Sequence, residues 1–238
     1  MAVFSLPDYA QNLSIPQQFL LPAINPFSAK NRVLSENEIR TCLADYGIPK
    51  DHPLVVQISR FDRWKDPGGV IEAVRLAREQ VDCTLVLLGN TALDDPEGEI
   101  ILDEMQNAAD ERTIILSVED SVLVNALQRQ AAVVVQKSVR EGFGLTVTEA
   151  MWKGAAVVGG NTGGIRRQIT DGENGFLVDT VEDAGDRIAQ LVRDPGLRAK
   201  IGEAARETVR EKFLLSRLAE GWIDLLKAYA DQPQLGGG

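Results

Sequence analysis

The segment from Glu141 to Glu149 combines two glycines and two carboxylates at the junction of a predicted strand and a predicted helix. It follows the apolar run Ala132–Gln136 and leads directly into a helical pattern. Gly142 and Gly144 allow a ligand to approach the backbone closely. The free N–H groups and the dipole of a helix N-terminus favour an anion. Because carboxylates accept hydrogen bonds from hydroxyls, the spacing would let one of the two glutamates reach a hexose and the other a ribose.

Two other interpretations of this segment remain open on spacing alone. In the first, Glu141 is an exposed loop charge and Glu149 an ordinary helix residue. In the second, residues 142–144 begin the G-x-G-x-x-G fingerprint of dinucleotide-binding proteins. However, Val147 occupies the last position of that fingerprint, where Gly or Ala is required, and the loop follows the fourth strong apolar run rather than the first. We therefore disfavour an NAD-binding site.

A cluster of cations follows the first strong apolar run, Leu54–Ser59. Arg60, Arg63 and Lys65 lie within six residues of one another in an otherwise acidic chain. A guanidinium makes forked contacts to phosphate and an ammonium acts as a point charge. The cluster therefore predicts an anion site involving Arg60 and Lys65. The alternative is an exposed turn in which Trp64 is a packing anchor.

Two further turns contain several glycines. Residues 159–164 lie between an apolar run and a helix, where they either widen the same pocket or form a tight connection. Residues 171–175 form a turn before a strand, and we interpret that turn as structural.

The composition excludes several classes of protein. The 238 residues have a formal net charge of −10, which argues against binding to nucleic acid or anionic membranes. A single histidine, His52, rules against histidine triads and multi-histidine metal sites. Cys42 and Cys83 are expected to be free thiols. There is no apolar run long enough to span a membrane and no recognisable signal peptide, so a cytoplasmic protein is expected.

The elements that position these motifs alternate between strand and helix. Apolar runs covered on both sides are typical of parallel strands, so the pattern predicts an α/β fold with a Rossmann-like, doubly wound sheet followed by C-terminal helices. The predicted strands are 54–59, 84–89, 113–116, 132–136, 155–159 and 175–178. The predicted helices are 36–46, 70–80, 100–110, 122–130, 145–152, 165–169, 181–193, 196–211 and 216–230. The prolines of the first fifty residues indicate a linker-like or edge segment.

Taken together, these motifs resemble the donor-binding domain of family 4 retaining glycosyltransferases, which have the GT-B architecture of two Rossmann-like domains. The resemblance extends from about Leu54 to the end of the chain. It rests on Arg60 with Lys65, Glu141 to Glu149, Gly163-Gly164, and Asp171-Gly172 with Gly175-Phe176. Within the family, three runs are most similar to trehalose glycosyltransferring synthases and trehalose phosphorylases: 59–65, 94–98 and 147–154.

The resemblance implies a role for each motif. Arg60 and Lys65 would hold the diphosphate of a nucleotide sugar and stabilise the leaving group, so that no metal or other cofactor is required. Glu141 would bind hydroxyls of the donor sugar and, with the two cations, complete the catalytic set. Glu149 would bind the ribose. Backbone groups of the intervening loop would contact sugar and phosphate: Gly142, Phe143, Gly144, Leu145 and Thr146.

The resemblance also implies a retaining hexosyltransferase that uses ADP-glucose or UDP-glucose and forms trehalose. Such enzymes have an N-terminal Rossmann domain for the acceptor, which we do not find here. We therefore expect residues 1–50 to be the segment joining two GT-B domains, 51–233 the nucleotide-sugar-binding domain, and 234–238 a flexible tail. The isolated chain would bind its donor with little or no turnover.

Two alternatives to this function remain. In the first, the chain is a nucleotide-sugar-binding or interaction module that a partner chain completes. In the second, it is a sugar-nucleotide epimerase of the same architecture. The epimerase is disfavoured because we find no histidine near the predicted site. Formation of a homo-oligomer is left open by the sequence.

Overall fold

Strands and helices alternate along the chain as the apolar pattern predicts. The computed structural model describes residues 1–90 and 96–230. The strands are β1 (Ala2–Phe4), β2 (Gln17–Phe19), β3 (Leu54–Ile58), β4 (Thr84–Gly89), β5 (Thr113–Ser117), β6 (Val133–Gln136), β7 (Val157–Gly160) and β8 (Phe176–Val178). The helices are α1 (Glu36–Asp45), α2 (Pro67–Arg78), α3 (Pro96–Ala108), α4 (Ser121–Gln130), α5 (Leu145–Trp152), α6 (Ile165–Gln168), α7 (Val181–Arg193), α8 (Pro195–Lys212) and α9 (Leu215–Ala230). The predicted tail, and part of the 94–98 run, lie outside the described residues.

Strands β3 to β8 form one sheet in which every neighbouring pair is parallel. Their order is β5-β4-β3-β6-β7-β8. The chain therefore builds one half of the sheet outward from β3, returns to the centre, and builds the other half outward from β6. This is the doubly wound Rossmann order, which confirms the predicted fold class. The direction reverses between β3 and β6, so a ligand site is expected at the carboxyl ends of these two strands.

Helices cover both faces of the sheet. Strands β3, β4 and β6 are buried along their whole length. On β3, Val55 packs in a cluster with residues of α2 and α7, whereas Val56 packs in a second cluster with α1 and α4. Each fully buried aliphatic side chain contributes about 1.5–3 kcal/mol, so the central strands are held firmly from both sides. The loops that follow them are therefore anchored at rigid points.

Three elements start two or more residues away from their predicted starts. Helices α2 and α3 begin at Pro67 and Pro96, three and four residues before the predicted starts. Proline is favoured at the first helical position because its missing N–H and fixed φ suit that position. Strand β7 begins two residues later than predicted. There, Gly154 has a φ of 77° and the Ala155 N–H donates to the Ala150 carbonyl, so these residues end α5.

The first fifty residues contribute a small strand pair and one helix. Strands β1 and β2 pair in parallel and are separate from the main sheet. Ser35 and Glu38 form a capping box at the start of α1. This helix packs on α4, and its Leu43 is buried in the cluster that includes Val56. The division between a joining segment and a domain at residue 50 stays a prediction.

Within residues 1–90 and 96–230, no helix combines the length and the apolar character that a membrane crossing requires.

Candidate functional site

Two loops meet at the carboxyl ends of β3 and β6. The loop after β3 contains a 3-10 turn, Arg63–Lys65, and the loop after β6 contains residues 137–144. The Val139 N–H donates to the Trp64 carbonyl over 2.9 Å, and the Arg140 guanidinium lies over the Trp64 ring at 5.1 Å. Trp64 is 50% exposed, so it is not a core anchor. The cation cluster and the Glu141 loop therefore form one continuous surface.

Lys65 and Glu141 contact each other directly. The Lys65 Nζ lies 2.6 Å from Glu141 Oε2, and their side chains are only 16% and 12% exposed. The other carboxylate oxygen, Oε1, accepts a hydrogen bond of 3.1 Å from the Gly142 N–H. The Ser138 hydroxyl donates to Oε2 over 3.4 Å. The two residues predicted to contact diphosphate and sugar thus neutralise each other.

Arg60 is the more accessible of the two predicted phosphate ligands. Its side chain is 70% exposed, and its Nη2 lies 3.2 Å from Oδ2 of the buried Asp62. Oδ1 of Asp62 accepts a hydrogen bond of 3.0 Å from the Lys65 N–H and so caps the 3-10 turn. The Asp62 carboxylate therefore caps the turn through one oxygen and contacts Arg60 through the other.

Two cavities share Arg60 as a wall. The first, of about 310 Å³, is lined by Tyr9, Arg60, Asp62, Trp64, Lys65, Arg140, Glu141 and Gly142. The second, of about 260 Å³, lies over the ends of β3 and β4, and Lys30 and Thr146 are among its lining residues. Because Arg60 lines both, an anionic group held there would join one ligand moiety in each cavity.

The glycine-rich turn at 159–164 packs against the Glu141 loop. Gly163 has a φ of 46°, and a Cβ on it would lie 1.8 Å from the Glu141 carbonyl oxygen. A Cβ on Gly164 would lie 2.3 Å from the Phe143 Cα. Of the two interpretations that the sequence left open, the tight connection is the one observed. These glycines hold the Glu141 loop in place by allowing close backbone contact.

The loop residues 142–146 divide into packing and exposed groups. The Phe143 side chain is buried and meets Phe213 edge-on, with 5.7 Å between ring centroids. The Phe143 carbonyl accepts a hydrogen bond of 2.6 Å from the buried Gln168 side chain. Phe143 therefore contributes packing through its ring, and only its backbone is left for a ligand.

Helix α5 begins where this loop ends. Gly144, with a φ of 84°, is the residue before its first turn, and within the described part of the chain no side chain caps this terminus. Leu145 is 43% exposed and Thr146 lines the second cavity with Arg60. The positive end of the α5 dipole is thus open toward the shared wall of the two cavities.

Glu149 lies one turn further into α5 and is partly buried. Burial raises the pKa of its carboxyl above the usual value, while the charges of Lys30 and Lys153 oppose that rise. Burial also lowers the pKa of Lys153 to about 7. The Lys153 Nζ donates to the Asn31 side chain over 2.8 Å and to the Glu149 carbonyl over 3.0 Å. Glu149 itself lines neither of the two cavities, whereas Lys30 lines the second one.

Several residues of this site were not found by sequence reasoning. Lys30 and Tyr9 come from the first fifty residues, interpreted there as a joining segment. Tyr9 ends the 3-10 turn Pro7–Tyr9 and lies near Gly142, and Asp8 of the same turn pairs with Arg167 at 3.1 Å and with Arg166 at 3.8 Å on α6. No local pattern in the sequence signals such long-range contacts. Ser138, by contrast, lies only three positions before Glu141 and could have been noted.

The fold and the site together define the class of protein. It is a doubly wound α/β domain with a cation–carboxylate cleft at its topological switch point, suited to an anionic and hydroxyl-rich ligand. The pattern of the family described as "Glycosyl transferases group 1" matches residues 39–208. This chain belongs to that family of glycosyltransferases.

Curated relatives refine the comparison. The chain is 38% identical over 234 residues to a trehalose synthase from Pyrococcus horikoshii, covering 95% of this chain and 56% of the relative. It is 40% identical over 224 residues to a trehalose synthase from Rubrobacter xylanophilus, covering 91% and 54%. The similarity to trehalose-forming enzymes within the family is confirmed. The chain spans just over half the length of these relatives.

Solved structures agree on the fold. A glycosyltransferase from Rickettsia africae superposes with a TM-score of 0.79 at 22% identity, covering 91% of this chain and 58% of that one. A protein from Anabaena, solved in complex with UDP-glucose, superposes with a TM-score of 0.77 at 20% identity, covering 89% and 57%. The chain has the fold of one half of a GT-B glycosyltransferase.

Proposed function

We propose that this chain is the nucleotide-sugar-binding half of a retaining hexosyltransferase that uses ADP-glucose or UDP-glucose and acts in the cytoplasm. The observation that carries the proposal is the contact of Lys65 with Glu141, 2.6 Å apart, beside Arg60 and the open N-terminus of α5. Cations and an open helix terminus suit a diphosphate, and a carboxylate suits sugar hydroxyls. The UDP-glucose bound by the Anabaena protein of similar fold supports this choice of ligand.

The proposal gives each group a place along the ligand. The diphosphate lies at Arg60, Lys65 and the N–H groups that open α5. The hexose occupies the 310 Å³ cavity beside Glu141, and the nucleoside occupies the 260 Å³ cavity, with its ribose toward Glu149. During transfer, the cations stabilise the negative charge that develops on the leaving diphosphate, which is the step in which such contacts are most valuable.

The product and the acceptor follow from the relatives. Because the similar proteins from Pyrococcus horikoshii and Rubrobacter xylanophilus are trehalose synthases, we propose a glucose acceptor and trehalose as product. The part of those relatives that this chain does not span would supply the acceptor wall. Without that wall, the acceptor is not oriented and water is not excluded, so this chain alone is expected to bind donor with little turnover.

Isothermal titration calorimetry tests the proposal directly. The purified chain is titrated with UDP, ADP and GDP, and with the glucose conjugate of each. Binding of at least one diphosphate, with further affinity from its glucose conjugate, is the expected result. If a folded sample shows no heat with any of the six ligands, the proposal is wrong.

The same titration examines the role of metal. We propose that Arg60, Lys65 and the α5 terminus neutralise the diphosphate without a divalent cation. Affinities should then be equal in EDTA and in millimolar Mg²⁺. A requirement for Mg²⁺ would contradict this part of the proposal.

A second candidate is a binding module that a partner chain completes. The observation that favours it is the extent of the match, which covers 56% and 54% of the two trehalose synthases. Mixing this chain with the N-terminal part of a relative tests it, with transfer of glucose to glucose as the readout. Restored transfer in the mixture supports the module, and no transfer at any ratio contradicts it.

A further inference from the structure

A second ion pair joins the same two loops beneath the first. The Lys137 Nζ lies 2.5 Å from Asp66 Oδ2, and the Lys137 side chain is only 8% exposed. Asp66 directly follows Lys65, and Lys137 precedes Glu141 by four positions. Each loop therefore contributes one cation and one carboxylate, and the two pairs run in opposite directions between the loops.

The backbone at Asp66 shows how firmly this second pair is built. Asp66 has a φ of 48° and is the only non-glycine residue with a positive φ in residues 1–90 and 96–230. That conformation costs an ordinary residue about 1–2 kcal/mol. It brings Oδ1 within 3.1 Å of the Gly69 N–H, which caps α2. A Cβ on Gly69 would lie 2.2 Å from Asp66 Oδ2, so the space is reserved for the carboxylate.

The two pairs differ in what a ligand would do to them. Lys65 and Glu141 both line the 310 Å³ cavity, whereas neither Asp66 nor Lys137 does. Under the proposed function, the donor takes Lys65 for its diphosphate and Glu141 for its sugar, and so separates that pair. A buried ammonium that loses its carboxylate is strongly unfavourable, so the pair of Lys137 with Asp66 stays closed.

We propose that Asp66 and Lys137 are positioning residues that hold the two donor-binding loops in register while the Lys65–Glu141 pair opens. This inference rests on the proposed function for its ligand. That the pair holds the two loops together does not depend on the proposed function, because the pair joins the loops without any ligand. Loss of the pair displaces Lys65 relative to Glu141, so the two side chains no longer meet the diphosphate and the sugar at the same time.

The variant Lys137→Met tests the inference by removing the charge while keeping the length of the side chain. Affinity for the nucleoside diphosphate and its glucose conjugate should fall about tenfold or more. Affinity for the free nucleoside should stay the same, because neither Asp66 nor Lys137 lines the cavity that contains Thr146. Asp66→Asn is the second variant, since Asn tolerates a positive φ and can still accept from the Gly69 N–H.

Arg78→Met is the matched control. The Arg78 side chain is 10% exposed and pairs with Asp110 at 2.7 Å, and it also donates to carbonyls just before β4 and β5, at the opposite edge of the sheet. Removing this cation should lower stability without changing any nucleotide affinity. If it weakens nucleotides as Lys137→Met does, the effect is one of general stability and the inference is wrong.

A measurement without ligand separates the inference from the proposed function. Hydrogen exchange of the Val139 and Arg140 amides, which bond to the Trp64 carbonyl across the loops, should become at least tenfold faster in Lys137→Met and in Asp66→Asn. The amides of β3 and β4 should be unaffected. Unchanged exchange in a folded variant overturns the inference. If the wild-type chain binds no nucleotide, the proposed function fails, and the exchange result alone decides the positioning role.

Discussion

Replacing Glu141 by Gln should make a nucleoside diphosphate bind more tightly and remove the preference for its glucose conjugate. In the free site, Glu141 competes for Lys65, which it contacts at 2.6 Å. The diphosphate must displace this carboxylate to reach the ammonium. The neutral amide of the variant would no longer compete by charge, so every diphosphate gains. Only the conjugate also loses the hydrogen bonds between the carboxylate and the sugar.

The exposure of the Lys65–Glu141 pair sets the size of the first effect. Exposed pairs contribute about 0–1 kcal/mol, whereas breaking a buried pair costs about 3–5 kcal/mol. With side chains 16% and 12% exposed, this pair lies between the two cases, and we take about 1.5 kcal/mol. That corresponds to about tenfold tighter binding of the diphosphate. Charge-assisted hydrogen bonds to the sugar contribute about 1.5–3 kcal/mol, so the preference for the conjugate should fall by about tenfold to a hundredfold.

Paired titrations of wild type and Glu141→Gln measure both effects. For each protein, the informative quantity is the ratio of the dissociation constant of the diphosphate to that of its glucose conjugate. The gain from releasing Lys65 is common to both ligands and cancels in this ratio. Glu207→Gln, which removes an exposed carboxylate paired with Arg210 on α8, is the control and should change neither constant. If the variant weakens the diphosphate, or shifts both ligands by one common factor, the reasoning is refuted.

Three further variants test other parts of the site. Arg60→Ala should weaken diphosphate and conjugate alike by about 1 kcal/mol, since the side chain is 70% exposed; equal titrations for variant and wild type would contradict it. Burial raises the pKa of Glu149, so wild-type affinity for the glucose conjugate should fall as the pH is lowered through that raised pKa and the carboxylate is protonated. Glu149→Gln should bind weakly and lack this fall in the same titration series. Gly163→Ala should lower the free energy of unfolding by about 2 kcal/mol or more, because its Cβ would lie 1.8 Å from a carbonyl oxygen. The control is Gly172→Ala, where φ is 76° but the space is open, and thermal melts should show a smaller loss. Equal losses in the two variants would contradict the steric argument.

The sheet was predictable because its signal is local. Strands buried on both faces must be apolar at nearly every position, and β3, β4 and β6 are. The meeting of the loops after β3 and β6 was predictable as well, since right-handed crossovers place all strand ends on one edge. Helix starts were less predictable because proline both ends one helix and begins the next. The predicted starts of α2 and α3 lay after Pro67 and Pro96, which are the first residues of these helices.

The partnerships inside the site were harder to predict. The sequence placed Lys65 and Glu141 in one cleft, but their direct contact depends on β3 and β6 being neighbours across 76 residues. Lys137 and Asp66 adjoin predicted site residues and were passed over, because their pairing exists only when both loops are folded. Phe143 was expected to contribute backbone groups to binding, which stays a prediction. Its ring packs on Phe213, between α8 and α9, and no local pattern in the sequence signals that contact.

The cations of the loop after β3 are paired with carboxylates, and this affects how fast a ligand arrives. Arg60, Arg63 and Lys65 each have a carboxylate within 4 Å, so the loop projects little positive potential into solvent. The chain as a whole has a net charge of −10. Under the proposed function, an anionic donor approaches against the repulsion of this net charge and meets attraction only at close range, at Arg60 and the open N-terminus of α5. Added salt screens that repulsion, so the association rate constant should rise with moderate ionic strength even though the bound complex is held by charge.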